Sequence, residues 1–176
     1  MYWILFLMGG AVSLVVAVLV GGAMTPRAHA VARTVVLRAR PESVWTLVRT
    51  VGSYADWRPE IQSTLVDGEE WQEFTTGRAL RLGVVESEAP RRFIARVLDD
   101  DLPFTREWTW QLVPEGEGTR VTLIERGETS NPLYRFVGAH MKGHHGAIDS
   151  ALNALAVRVG DAAARIEDAG PANGRA

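Results

Sequence analysis

Phe104 to Glu128 reads FTREWTWQLVPEGEGTRVTLIERGE. The first half alternates. Phe104, Arg106, Trp108, Trp110 and Leu112 fall on one side of an extended chain, and Thr105, Glu107, Thr109 and Gln111 on the other. Successive side chains of a strand point to opposite faces, so this is the pattern of a strand with one covered face. Pro114-Glu115-Gly116-Glu117-Gly118 breaks it, and Arg120–Glu128 then alternates again, with Val121, Leu123 and Glu125 together. Two strands joined by so short a loop pair antiparallel. The apolar face needs a second layer to cover it.

Working upstream, Ile61–Asp67, Trp71–Thr75, Ala79–Glu86 and Phe93–Leu98 read as further strands. They are separated by Asp67-Gly68, Thr76-Gly77 and Ala89-Pro90. These are turn signals, and short connections of this kind imply an antiparallel meander. Arg33–Ala39 is an opening strand with Val35, Leu37 and Ala39 on one face. Pro41 then sits in the first turn of a helix, where its missing N–H matters least. Val44, Trp45 and Val48 form the apolar stripe of that helix, and Gly52-Ser53 ends it. Tyr54-Ala55-Asp56-Trp57-Arg58-Pro59 is a second short helical turn.

Downstream the period changes. From Asn131-Pro132 a helix is expected, carried by Ile148, Leu152, Leu155 and Val159 at helical spacing and reaching about Glu167. Gly138, Gly143 and Gly146 weaken its first half. The order is strand, two short helices, a run of antiparallel strands, one long helix. The fold class is therefore α+β, a curved antiparallel sheet wrapped around a long C-terminal helix, the helix-grip arrangement.

The first thirty residues differ from the rest. No charge occurs from Tyr2 to Met24, a stretch of 23 positions. As a helix it is roughly 35 Å long, enough to cross a hydrocarbon core of about 30 Å. Residues 1–26 are thus expected to be a single-pass transmembrane helix, 27–32 a linker, 33–167 the domain and 168–176 a disordered tail. Arg27, Arg33, Arg38 and Arg40 follow the helix and none precedes it, which places the domain on the cytoplasmic side of the cell membrane. The competing reading is a signal peptide cleaved at Ala28-His29-Ala30, giving a secreted or periplasmic protein. Gly9, Ser13, Ala17 and Gly21 recur every four residues, a spacing that suits a homodimer through the membrane helix.

Composition excludes several classes. The chain has 176 residues, no cysteine and a net charge of −2. Disulfides, thiolate metal sites and thiol nucleophiles are excluded. No basic run follows a phosphate backbone, so no nucleic-acid partner is expected. His140 with His144, and His145 with Asp149, are four apart, but no further ligand accompanies them in the sequence; no metal site is assigned. Asp99-Asp100-Asp101 lacks EF-hand spacing and reads as a solvated turn. There is no phosphate loop, nucleophile elbow or HExxH helix, and no cofactor is expected.

The chain resembles the START-like superfamily, in its polyketide cyclase/dehydrase and lipid-transport group. The carriers are the opening strand into Pro41-Glu42-Ser43-Val44-Trp45, the segment Tyr54–Pro59, the strand Gly118-Thr119-Arg120-Val121-Thr122-Leu123, and the C-terminal helix. The resemblance covers about Arg33 to Asp161. It implies a seven-stranded sheet gripping the helix, with an elongated ligand cavity between them.

Five residues are candidates for that cavity. Trp108 and Trp110 supply flat apolar contact area. Arg106 and Glu125 are charges on apolar faces, and a buried charge needs a partner. They are expected to pair with each other, or Arg106 to meet a ligand anion. The resemblance puts Trp57 near the cavity mouth. The expected function is a membrane-tethered binding or carrier domain for a hydrophobic small molecule or lipid. The alternatives are a cyclase or dehydratase using Glu125 or a histidine as base, and a membrane-anchored protein-interaction module, which a filled core and a large exposed apolar patch would favour.

Overall fold

Each alternating segment becomes a strand. In the computed structural model, which describes residues 2–141 and 146–170, strand β1 spans Ala28–Leu37 and is followed by helix α2, Pro41–Arg49. A 3-10 turn covers Val51–Asp56, and then comes the meander β2 Ser63–Asp67, β3 Glu70–Thr75, β4 Arg78–Glu88, β5 Arg92–Val97, β6 Phe104–Glu115 and β7 Gly118–Thr129. Helix α1, Tyr2–Met24, precedes them; helices α3, Pro132–Met141, and α4, Gly146–Arg158, follow, and strand β8, Ile166–Asp168, comes last. The sheet order is β2-β3-β4-β5-β6-β7-β1-β8, and every pairing is antiparallel.

Three features depart from the sequence reading. The expected long helix is seen as α3 and α4 on either side of residues 142–145, which lie outside the described residues, and it stops short of Glu167. Helix α4 ends at Arg158, where Gly160 takes a φ of 78° and Asp161 N–H reaches back to Ala156 O at 2.8 Å. That is the Schellman way of stopping a helix. The chain is thereby turned back to add β8 beside β1, so the sheet has eight strands rather than seven. Strand β1 starts at Ala28 and takes in residues 28–32, which the sequence assigns to a linker. Residue 168 belongs to β8; the tail from 171 onward lies outside the described residues.

One face of the sheet packs on α2 and α4. Val35, Leu37, Phe93, Leu112, Val121 and Leu123 meet Val44 and Val48 of α2 and Ile148, Leu152 and Leu155 of α4, all almost fully buried. Each such side chain contributes about 1.5–3 kcal/mol by leaving water. A register slip between Val84 and Glu86 puts one extra residue in β4. This bulge bends the strand, while Leu82 still pairs with Val97 and Val84 with Ala95.

Helix α1 is closed by Thr25, whose hydroxyl donates to Gly21 O at 2.9 Å. Its last turn lies on α3. A Cβ at Gly22 would collide with the Pro132 carbonyl, and one at Gly21 would sit 3.1 Å from the Phe136 ring. Arg135 Nη1 donates to Thr25 O at 3.1 Å. Gly21, the last residue of the small-residue stripe, is therefore covered within the same chain. Among the described residues no helix is long and apolar enough to cross a membrane. Side chains at 2, 4–9, 11 and 12 of α1 lie outside those residues.

Candidate ligand cavity

Strand alternation and the layer of α4 leave a cavity of about 150 Å³ between the sheet and the helix. Its middle is apolar: Leu80, Leu82, Ala95, Trp110, Leu123 and Ile148 line it. The small side chains of Ala147 and Ala151 on α4 leave the space that larger ones would fill. Two polar clusters border this apolar middle.

The first cluster centres on Glu125 of β7, only 3 % exposed. Trp108 is its register partner on β6, and the indole Nε1 donates to Glu125 Oε2 at 3.0 Å. His29 Nε2 approaches Oε1 at 3.4 Å from β1. Arg106 Nη1 lies 3.5 Å from the same oxygen, and its guanidinium covers the Phe104 ring at 5.2 Å. Burial pushes the Glu125 carboxyl upward. The His29 hydrogen bond, the Arg106 charge and the Trp108 indole together outweigh it and hold the group below the usual carboxylate range. Gly127 makes room for this arrangement, since a Cβ there would fall 2.8 Å from the His29 ring.

The second cluster comes from the segment after α2 and from β3. Arg58 Nε donates to Glu60 Oε1 at 2.8 Å, and Arg58 Nη1 lies 3.8 Å from Glu73 Oε1. Trp71 Nε1 donates to the same Glu73 oxygen at 2.9 Å. The guanidinium sits 5.0 Å over the Tyr54 ring. Burial lowers the Arg58 pKa, but the Glu73 and Glu60 carboxylates raise it further, so the charge is kept. Burial also pushes the Tyr54 phenol well above its ordinary range. Its hydroxyl donates to Val48 O at 2.6 Å. Glu60 Oε2 is buried with no partner among the described residues.

Four of the five candidates from the sequence, Arg106, Trp108, Trp110 and Glu125, line this cavity together. Trp57 does not line it; it packs edge-on against Tyr54 with ring centres 5.5 Å apart. Arg58, Glu60, Trp71 and Glu73 were missed. The signal available was Glu73, an acid two residues from Trp71 on the same face of β3. His29 was missed because the first strand was begun too late; extended back by alternation, its face includes position 29. The side chains of His140, His144 and His145 lie outside the described residues. Among the described residues no cluster of three or more His, Cys, Asp or Glu could hold a metal ion. Asp99 accepts the Arg81 N–H at 2.8 Å, consistent with a turn.

The sequence profile described as polyketide cyclase / dehydrase and lipid transport matches residues 28–160, from the first residue of β1 to just past α4. The chain belongs to this family. No curated protein matches the sequence. As a member of the polyketide cyclase/dehydrase and lipid transport family it shares its fold with several solved structures. A START superfamily protein from Mycobacterium smegmatis superposes with a TM-score of 0.61 at 18 % identity, over 75 % of this chain and 97 % of that one. A conserved protein from Geobacillus kaustophilus gives 0.64 at 13 % identity, over 79 % and 99 %. Norcoclaurine synthase from Thalictrum flavum gives 0.61 at 12 % identity, over 80 % and 90 %. At these identities the likeness is one of fold, and a fold of this kind carries many functions.

Proposed function

We propose that this chain is a membrane-tethered binding or carrier domain for a small hydrophobic molecule. The observation that carries this reading is the cavity itself, apolar in the middle and bordered by hydrogen-bonding groups. That is the usual composition of a ligand site. Its volume of about 150 Å³ is the size that admits a benzene-like molecule. It is below the roughly 300–1,000 Å³ of sites for larger ligands. Between a lipid and a small molecule, the volume favours the small molecule.

The tether rests on the 23 uncharged residues of α1, counted over the whole stretch, and on the arginines that follow it, which favour a cytoplasmic domain. Cleavage after Ala30 would remove three paired residues of β1, His29 among them. This favours a retained helix over a signal peptide. Native mass spectrometry of the full chain in mild detergent tests the binding reading. We expect a bound small molecule that Ala151→Phe, which fills the cavity from α4, removes. A chain that carries nothing and binds no small aromatic would overturn it.

A second reading, a cyclase or dehydratase, is favoured by one feature: Glu125 is a buried carboxylate held beside an imidazole in the cavity region. Such a pair is suited to moving a proton. Turnover lost in Glu125→Gln with folding intact would support this reading, and turnover retained would remove Glu125 from it.

A further inference from the structure

We infer that the cavity selects a cationic or hydrogen-bond-donating ring compound, of the benzylammonium type, and rejects the matching carboxylate. The inference rests on the binding reading above and concerns the charge of the ligand that the site takes.

The carboxylates lining the cavity, Glu60, Glu73 and Glu125, outnumber its guanidiniums, Arg58 and Arg106. The surplus is local. Glu125 has its own donors in Trp108, His29 and Arg106. At the other cluster, one guanidinium serves two carboxylates: Arg58 is bonded to Glu60 at 2.8 Å but stands 3.8 Å from Glu73. Glu73 Oε1 takes the Trp71 indole. Glu60 Oε2 is buried and without a partner among the described residues. This acceptor oxygen is left over, and a buried acceptor without a donor is costly.

The positive groups do not cancel this. Arg106 has a buried Nε without a partner among the described residues, so it can donate to a ligand oxygen. Its side chain is 37 % exposed, however, and water screens it, whereas Glu73 is only 9 % exposed. Glu60, one-third exposed, is screened in the same way, which leaves two buried carboxylates, Glu73 and Glu125, against one buried guanidinium, Arg58. The aromatic residues Tyr54, Trp71 and Trp110 line the same space, and aromatic rings favour a cation over an anion.

Three probes of one size and shape separate the terms: benzylamine, benzyl alcohol and benzoate. They are titrated into the full chain in mild detergent near neutral pH, with the indole N–H resonances of Trp71 and Trp108 as the readout. We expect benzylamine to bind at least roughly ten-fold tighter than benzoate, with benzyl alcohol between them. Glu73→Gln should reduce that preference to within about three-fold while benzyl alcohol still binds. If Glu73→Gln does not fold, Glu60→Gln should narrow the preference in the same direction, since that side chain is one-third exposed. Benzoate binding as tightly as benzylamine, with all three probes moving the indoles, would overturn the charge selectivity and leave the binding reading standing. No response from any probe would overturn both.

Discussion

Trp108 and Glu125 face one another across β6 and β7, and the indole donates to the carboxylate at 3.0 Å. The pair makes Glu125 less dependent on Arg106 than alternation alone suggests. Arg106 is half-exposed and 3.5 Å away, and contacts of that kind are worth little. Arg106→Met should therefore destabilise the fold by about 1 kcal/mol or less. Glu125→Gln places an amide against buried donors and should cost about 1–3 kcal/mol. Urea denaturation of both variants decides between these. Equal losses would mean that the arginine, not the indole and the imidazole, holds the carboxylate.

The same contacts set the acid limb of stability. The folded-state pKa of Glu125 lies below its unfolded value, its hydrogen bonds and the Arg106 charge outweighing burial. A depressed carboxylate contributes stability that is fully present above the unfolded pKa, about 4. That contribution is lost as pH falls through the folded pKa. Asp161 behaves alike, held down first by the Arg38 backbone N–H and then by its guanidinium. Wild-type protein should lose stability steeply below about pH 4, and Glu125→Gln and Asp161→Asn should each flatten that slope. A slope unchanged in both variants would place the acid-sensitive groups elsewhere.

Tyr54 sets an alkaline counterpart. Burial raises its phenol above the ordinary value, so the unfolded chain releases this proton first as pH rises past about 10. Stability should fall above that pH, and Tyr54→Phe should lessen the fall. The variant also leaves Val48 O without its 2.6 Å donor, at a cost of about 1–3 kcal/mol at neutral pH. Thermal melts at neutral and alkaline pH read both effects.

What the sequence made legible follows from period. Strands β2 to β7 were readable because alternation and turn residues mark them, and the boundaries fell within two residues. Arg106 and Glu125 were readable as charges on apolar faces. Long-range consequences were not. Nothing local in Ile166–Asp168 marks a strand, since β8 exists only because β1 offers it an edge. The stop at Gly160 looks like one more glycine until its φ is known. Arg58 and Glu73 are 15 positions apart in the chain and meet only when the segment after α2 closes over β3. Trp57 was placed by analogy with other folds, and here its ring turns to Tyr54.

The contact between α1 and α3 is the last feature open to a direct test. Gly22 allows the two backbones to touch, and any side chain there meets the Pro132 carbonyl. Gly22→Leu should lift the end of α1 from α3 and break the Arg135–Thr25 hydrogen bond. The domain core has no part in this contact, so its melting temperature should stay as in wild type. Trypsin cleavage after Arg27 should become faster. Gly10→Leu is the control, because a Cβ there meets no atom of the described residues within 4 Å, and it should cleave at the wild-type rate. If Gly22→Leu and Gly10→Leu behave alike, α1 does not rest on α3 in solution. If only Gly22→Leu is exposed, α3 ties the orientation of the domain to the direction in which α1 leaves it.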